Sequence, residues 1–109
     1  MSTSPWPVLT DPTRRAVLDL LRERPRSVGE LVDALPASQP TTSKHLRVLR
    51  EAGFVRVVGV AQHRIYSIDP APLAELDAWL APYRRLWNDR LDALGRHLDE
   101  QASDTNRNP

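Results

Sequence analysis

Polar and apolar positions from Ser38 to Phe54, SQPTTSKHLRVLREAGF, follow the period of a helix. At about 100° per residue, Thr42, Leu46, Leu49 and Gly53 share one side, Thr41, Lys44 and Arg47 lie well away from it, and Ser43 and His45 occupy the flanks. Such a helix packs one face and leaves a hydroxyl-rich, basic face for a partner. Its ends are marked too. Ser38 is a capping residue, Pro40 stands in the first turn, where no N–H is needed, and Gly53 supplies a left-handed stop.

The segment before it, SVGELVDALPA (27–37), sets Ser27 and Glu30 at capping-box spacing and Leu31, Val32 and Leu35 as an apolar stripe, then a short turn bearing proline. Two short helices meeting at a tight corner make a helix-turn-helix, in which the first braces the second so that its N-terminal residues enter the major groove of DNA. Two runs rich in Val, Ile and Tyr follow, Phe54 to Val58 and His63 to Ile68, with Gly59 near the break. They predict a hairpin, a wing beside the helix.

Upstream, Asp11-Pro12 opens a first helix with an inward stripe of Val17, Leu20 and Leu21, ending near Arg24-Pro25. Downstream of Asp69-Pro70, Leu73, Leu76, Trp79, Leu80, Tyr83, Leu86, Trp87, Leu91, Leu94 and Leu98 recur at three- and four-residue spacing. That stripe is too long for a small domain to cover by itself. Pro82 is expected to kink this segment or split it into two helices. The expected organisation is an N-terminal arm (1–10), one DNA-binding domain with dimerisation helices (11–101) and a disordered polar tail (102–109).

The simplest cover for the stripe is the same stripe of a second copy. Trp6 and Leu9, from an extended N-terminal arm, join Trp79, Tyr83, Leu86, Trp87, Leu91, Leu94 and Leu98 in the expected dimer interface. Two-fold pairing would set two reading helices about 34 Å apart, one turn of a palindromic duplex. The aromatic residues leave a small-molecule effector open and unidentified.

Charge sharpens this picture once it is divided along the chain. Residues 13–64 hold ten Lys or Arg against five Asp or Glu, residues 65–109 five against eight, and the whole chain carries +1. The module with the reading helix is the basic part, as expected where one face meets a polyanion. At 109 residues there is room for one domain without a roomy catalytic cleft. Phosphate-cradling glycine motifs and nucleophile sets are missing, so an enzyme is not expected. Without cysteine there are no disulfides or thiolate metal sites. No apolar run approaches the roughly 20 residues of a membrane span, and the start MSTSPWPV lacks the pattern of a signal peptide. A cytoplasmic location is expected.

Gln39, Thr41, Ser43 and Lys44 are the main candidates for groove contacts, since amides, hydroxyls and an ammonium can bond base edges or phosphates. Arg47 suits phosphate. His45 and Thr42 have two readings each, a DNA contact from the flank of the helix or a packed side chain within the domain. Arg56, His63 and Arg64 on the wing can reach phosphates or the minor groove, while the tip, Val60, Ala61 and Gln62, is neutral.

DPTRRAVLDLL, SVGELVDAL, SQPTTSKHLRVLREAGFV and RIYSID, in this order and followed by long C-terminal helices, resemble the ArsR family of bacterial winged helix-turn-helix repressors over roughly residues 8 to 98. The third string carries most of the likeness. DAWLAPYRRLWNDRLDALGRHL looks like the cysteine-free subgroup described as small autorepressors. The resemblance implies a mainly α fold with a small β-hairpin, and a homodimer that binds an operator and represses transcription. Zinc sites of the family pair Asp and His with a later H-x-x-E. His97 and Glu100 keep that last spacing, but Arg84 and Leu86 stand at the upstream positions, so no metal or other cofactor is expected. The competing reading is a winged-helix adaptor that binds protein and not DNA, which would call for apolar residues where Thr41, Lys44 and Arg47 stand.

Overall fold

The computed structural model describes residues 6–107, with side chains through Ala102. The elements run from a 3₁₀ turn (Trp6–Thr10) through α1 (Pro12–Glu23), β1 (Arg26–Ser27), α2 (Val28–Ala34), α3 (Gln39–Glu51), β2 (Val55–Val60) and β3 (His63–Ile68) to α4 (Ala71–Arg107). The chain divides into two compact units, residues 1–74 and residues 75–109.

Local chemistry sets the helix ends of the first unit. Asp11 caps α1, its Oδ1 accepting from the N–H groups of Thr13 (2.8 Å) and Arg14 (3.2 Å). Ser27 and Glu30 form both halves of a capping box on α2, each reaching the other's backbone N–H at 3.2 Å. Ser38 caps α3. At its far end Gly53 adopts φ 84°, and the N–H groups of Gly53 and Phe54 close on the carbonyls of Arg50 (3.0 Å) and Leu49 (2.9 Å). That pair of bonds is a Schellman stop, and it needs a residue at ease in the left-handed region.

The core joins α1, α2, α3 and the sheet through Val17, Leu31, Leu46, Leu49, Phe54, Val55 and Tyr66. On α1 the buried face is Val17, Leu18 and Leu21, with Leu20 half-buried beside it, one position round from the expected stripe. The sheet has three strands in the order β1-β3-β2, all antiparallel. Its third member, β1, was not expected. Two residues long, it shows no alternation of its own, and it exists because Arg26 and Ser27 pair with Tyr66 and Ile65. β2 and β3 pair from Val55↔Ile68 to Val60↔His63, which leaves Ala61 and Gln62 as a two-residue turn with Ala61 at φ 55°.

Three expectations for the ends of the chain are corrected. Trp6–Thr10 is a 3₁₀ turn, not an extended arm; Thr10 Oγ1 donates to the carbonyl of Pro7 at 2.7 Å and Arg15 Nη1 to that of Leu9 at 2.7 Å. Residues 1–5 of the arm lie outside the described residues. Of the kink or split expected at Pro82, the split does not occur, and α4 runs through the proline as one helix. One absent N–H leaves one carbonyl unbonded, and Arg84 braces the proline site by pairing with the carboxylate of Asp77, two turns back. The expected tail of 102–109 is helical as far as Arg107, because neither glycine nor proline interrupts residues 96–107; residues 108 and 109 are outside the described part.

Candidate nucleic-acid interface

Helix α3 presents the face its sequence period predicts. Thr42, Leu46 and Leu49 are buried, whereas Gln39, Thr41, Ser43, Lys44, Arg47 and Arg50 are exposed. Four of these, Gln39, Ser43, Arg47 and Arg50, follow one another at intervals of four, four and three, a single stripe along the helix. They form one wall of a groove whose other wall is the wing, with Gln62, His63, Arg64 and Tyr66, and whose end is the start of α2 at Ser27, Val28 and Gly29. The groove therefore gathers amides, hydroxyls and three guanidinium groups along a concave strip, the chemistry that meets phosphate and base edges.

Of the residues singled out in the sequence, Gln39, Ser43, Arg47, His63 and Arg64 come together in this groove. Thr41 and Lys44 are exposed but lie outside its lining. Thr41 also serves the helix start: its N–H donates to Ser38 Oγ at 3.3 Å, and Ser38 Oγ donates to its hydroxyl at 2.9 Å. Arg50 and Gln62 were missed. Arg50 lies three residues beyond Arg47, so the helical step contained its signal; Gln62 sits at a turn whose position only strand register decides.

Two candidates are corrected by burial. Thr42 has no exposed surface at all and packs in the core, so it cannot touch a duplex from this position. Its side lies 100° from Thr41 but shares the face of Leu46 and Leu49, and apolar packing claims it. His45 is packed rather than presented, with its side chain 13% exposed. Its Nδ1 accepts from Arg14 Nε at 3.1 Å, and its Nε2 faces Asp11 Oδ1 at 3.9 Å. Arg56 is exposed, but its Nε donates to Asp69 Oδ2 at 3.0 Å. A phosphate would have to compete for that guanidinium with a carboxylate of the same chain.

These carboxylates are held in their charged form. Arg56 beside Asp69, aided by the N–H of Ala71, lowers the Asp69 pKa below its ordinary value. Burial pushes Asp11 up, but the N–H groups of Arg14 and Thr13, with the neighbouring imidazole of His45 and guanidinium of Arg14, outweigh it and the net shift is down. Glu30 is lowered chiefly by its bond from Arg24 and then by the N–H of Ser27.

In the second unit, Trp79, Tyr83, Leu86, Trp87, Leu91, Leu94 and Leu98 are 45–60% exposed along α4, and the rings of Trp79 and Tyr83 stack with centroids 4.7 Å apart. Trp6 and Leu9, in the first unit, are half-buried, and Leu9 packs against the core. Among the described residues no three His, Asp or Glu side chains cluster as a metal ion would need, and His97 Nε2 lies 3.1 Å from the side-chain amide of Gln101. Among the described residues no helix is long and apolar enough to cross a membrane.

Comparison with known proteins bears on this geometry directly. The pattern of the bacterial regulatory protein arsR family matches residues 11–57, from the cap of α1 into β2. The HTH-type transcriptional regulator Rv2034 of Mycobacterium tuberculosis is 38% identical over 100 residues, spanning 92% of this chain and 91% of the relative. The chain belongs to the ArsR family.

Transcriptional repressor SdpR of Bacillus subtilis is 31% identical over 72 residues, 66% of this chain and 80% of its own. An ArsR-like transcriptional regulator from Rhodococcus sp. RHA1 superposes with a TM-score of 0.67 at 30% identity, covering 85% of this chain and 88% of that one. This ArsR-family protein is thus a DNA-binding transcription regulator with a winged helix-turn-helix fold. The family pattern covers α1 to α3, the part that holds the reading helix, and stops short of α4.

Proposed function

We propose that this ArsR-family regulator is a homodimeric repressor that acts in the cytoplasm at an inverted-repeat operator. Each protomer lays α3 in a major groove, with Gln39, Ser43 and Lys44 toward base edges and Arg47, Arg50 and Arg64 toward phosphates. The observation that carries this reading is the groove between α3 and the wing, where exposed amide, hydroxyl and guanidinium groups line up and no carboxylate intrudes. A duplex rewards that arrangement twice, through counterion release along the backbone and through directional bonds to bases.

Pairing of two copies rests on the exposed stripe from Trp79 to Leu98. Leaving several large apolar side chains in water costs about 25 cal/mol per Å² that a partner would cover, and a two-fold partner supplies the same stripe. Two reading helices about 34 Å apart then match one turn of DNA. Repression is supported by relatives named as repressors, SdpR among them.

Selection of bound duplexes from random DNA by the purified protein tests the reading. The expected product is an inverted repeat with half-site centres about one turn apart, bound by a species of twice the chain mass. Leu91→Glu, in the middle of the stripe, is expected to give monomers that lose the dyad preference. Enrichment of no sequence, or of single half-sites by a monomeric wild type, would refute the proposal.

A further inference from the structure

Residues outside the groove decide how accurately the reading helix is held in it. Arg14 of α1 is half-buried and lines no part of the groove. Its Nε donates to His45 Nδ1 at 3.1 Å, its Nη1 donates to the carbonyl of Val8 at 3.4 Å, and its backbone N–H sits on the carboxylate of Asp11 at 3.2 Å. Across the ring, Nε2 of His45 faces that same carboxylate at 3.9 Å. One guanidinium thereby joins the N-terminal turn, the first turn of α1 and the middle of α3.

The rest of the inner face of α3 cannot set its rotation as sharply. Leu46 and Leu49 make apolar contacts, which are non-directional, and the buried hydroxyl of Thr42 has no bonded partner. A planar, charged donor meeting a ring nitrogen is directional, and it fixes both roll and slide. His45 lies between Lys44 and Leu46 and two residues before Arg47, so the roll that this bond sets is carried to the exposed face.

We propose that Arg14 is a positioning residue for the reading helix: through the unprotonated Nδ1 of His45 it sets the register in which Gln39, Ser43 and Arg47 meet a duplex. The proposal rests on the DNA-binding reading above. Because Arg14 can only donate, Nδ1 must accept, and the ring proton belongs on Nε2, toward Asp11. Sequence-specific binding needs register, whereas non-specific binding needs charge alone. The two kinds of binding therefore separate a positioning role from a charge role.

Arg14→Lys keeps the charge and loses the fork that spans His45 and Val8. It is expected to weaken binding to the selected operator duplex about tenfold, the scale of one charged hydrogen bond, and binding to a scrambled duplex of equal length by less than about twofold. His45→Asn, which keeps an acceptor near the Nδ1 position, should retain operator affinity; His45→Leu should match Arg14→Lys, and the double variant should be no worse than either. Imidazole ¹⁵N shifts should show an unprotonated, hydrogen-bonded Nδ1 in the wild type that changes in Arg14→Lys.

Equal losses on both duplexes, additive losses in the double variant, or a protonated Nδ1 in the wild type would overturn the positioning role. Should the wild type prefer no duplex at all, the DNA-binding reading falls before any variant is made, and the positioning role falls with it. The imidazole shifts need no DNA, so they distinguish the two failures even if His45→Leu does not fold.

Discussion

Replacing Thr42 by valine tests where α3 turns its faces. Thr42 has no exposed surface and its Oγ1 has no hydrogen-bond partner, while its backbone N–H already bonds the carbonyl of Ser38 at 2.9 Å. Valine keeps the shape and the β-branching, so helix propensity and rotamer entropy change little. What changes is the hydroxyl. A buried, unsatisfied polar group costs about 1–3 kcal/mol, and a methyl group in its place adds about 0.8 kcal/mol of burial; some relaxation around the site offsets part of both. Thr42→Val is therefore expected to stabilise the fold by about 1–2 kcal/mol, or roughly 5–10 °C in Tm for a unit of this size. Thermal melts and urea titrations at one fixed protein concentration read it, since association would otherwise shift the midpoint. Operator affinity should stay within about twofold of the wild type, below about 0.5 kcal/mol. Destabilisation by about 1 kcal/mol would mean that the hydroxyl is bonded in solution, and a large affinity loss in a folded variant would place Thr42 on the duplex. The first result refutes the unsatisfied hydroxyl, and the second refutes the roll assigned to α3.

Arg47→Ala and Arg50→Ala should each flatten the dependence of log affinity on log salt by about 0.9 for each phosphate no longer neutralised, so by about 1.8 for a dimer in which two are freed; an unchanged slope with weaker binding would move that residue to base readout. Gly53→Ala should cost about 1 kcal/mol, because an added Cβ meets Pro72 at an ordinary 3.7 Å while φ stays at 84°; denaturant midpoints would show it, and a neutral result would mean the stop has another geometry. Asp11, Glu30 and Asp69 all have folded-state pKa values below their ordinary 3.8, 4.5 and 3.8, so the unfolded chain binds protons first. Their contribution is complete above those ordinary values and is lost as pH falls through the lowered ones. Urea midpoints should hold down to about pH 5 and drop steeply toward about pH 3, with a shallower drop in Asp11→Asn. An equal drop in that variant would remove Asp11 from the account.

The ends of the helices in the first unit were legible in the chain because they are made by neighbours. Asp11, the Ser27–Glu30 box, Ser38 and Gly53 act within a few residues, and no distant contact is needed to bring them together. The same holds for the faces of α3: the step of the helix places Leu46 and Leu49 inward and Lys44 and Arg47 outward whatever surrounds them. The C-terminal stripe followed from period alone. A local rule was read too strongly in allowing Pro82 to split α4 and in the polar tail. A single missing donor does not end a helix whose other turns keep their bonds, and polarity by itself does not prevent one.

Other features depended on groups far apart in the chain. β1 exists through pairing with β3, about 40 residues on; Arg56 meets Asp69 across 13 residues, and Arg14 meets His45 across 31. Nothing in the local pattern chooses between a histidine that reads DNA and one that braces a helix, since both sit on the flank of an amphipathic face. Packing chose, by bringing Arg14 of α1 against His45, by burying Thr42 and by setting the wing opposite Gln39, Ser43, Arg47 and Arg50. Period and capping chemistry thus determined which helices form and how they are faced, because those are short-range properties of the chain. The tertiary structure decided which polar side chains remain for a partner, because burial and long-range hydrogen bonds arise only when separate elements meet.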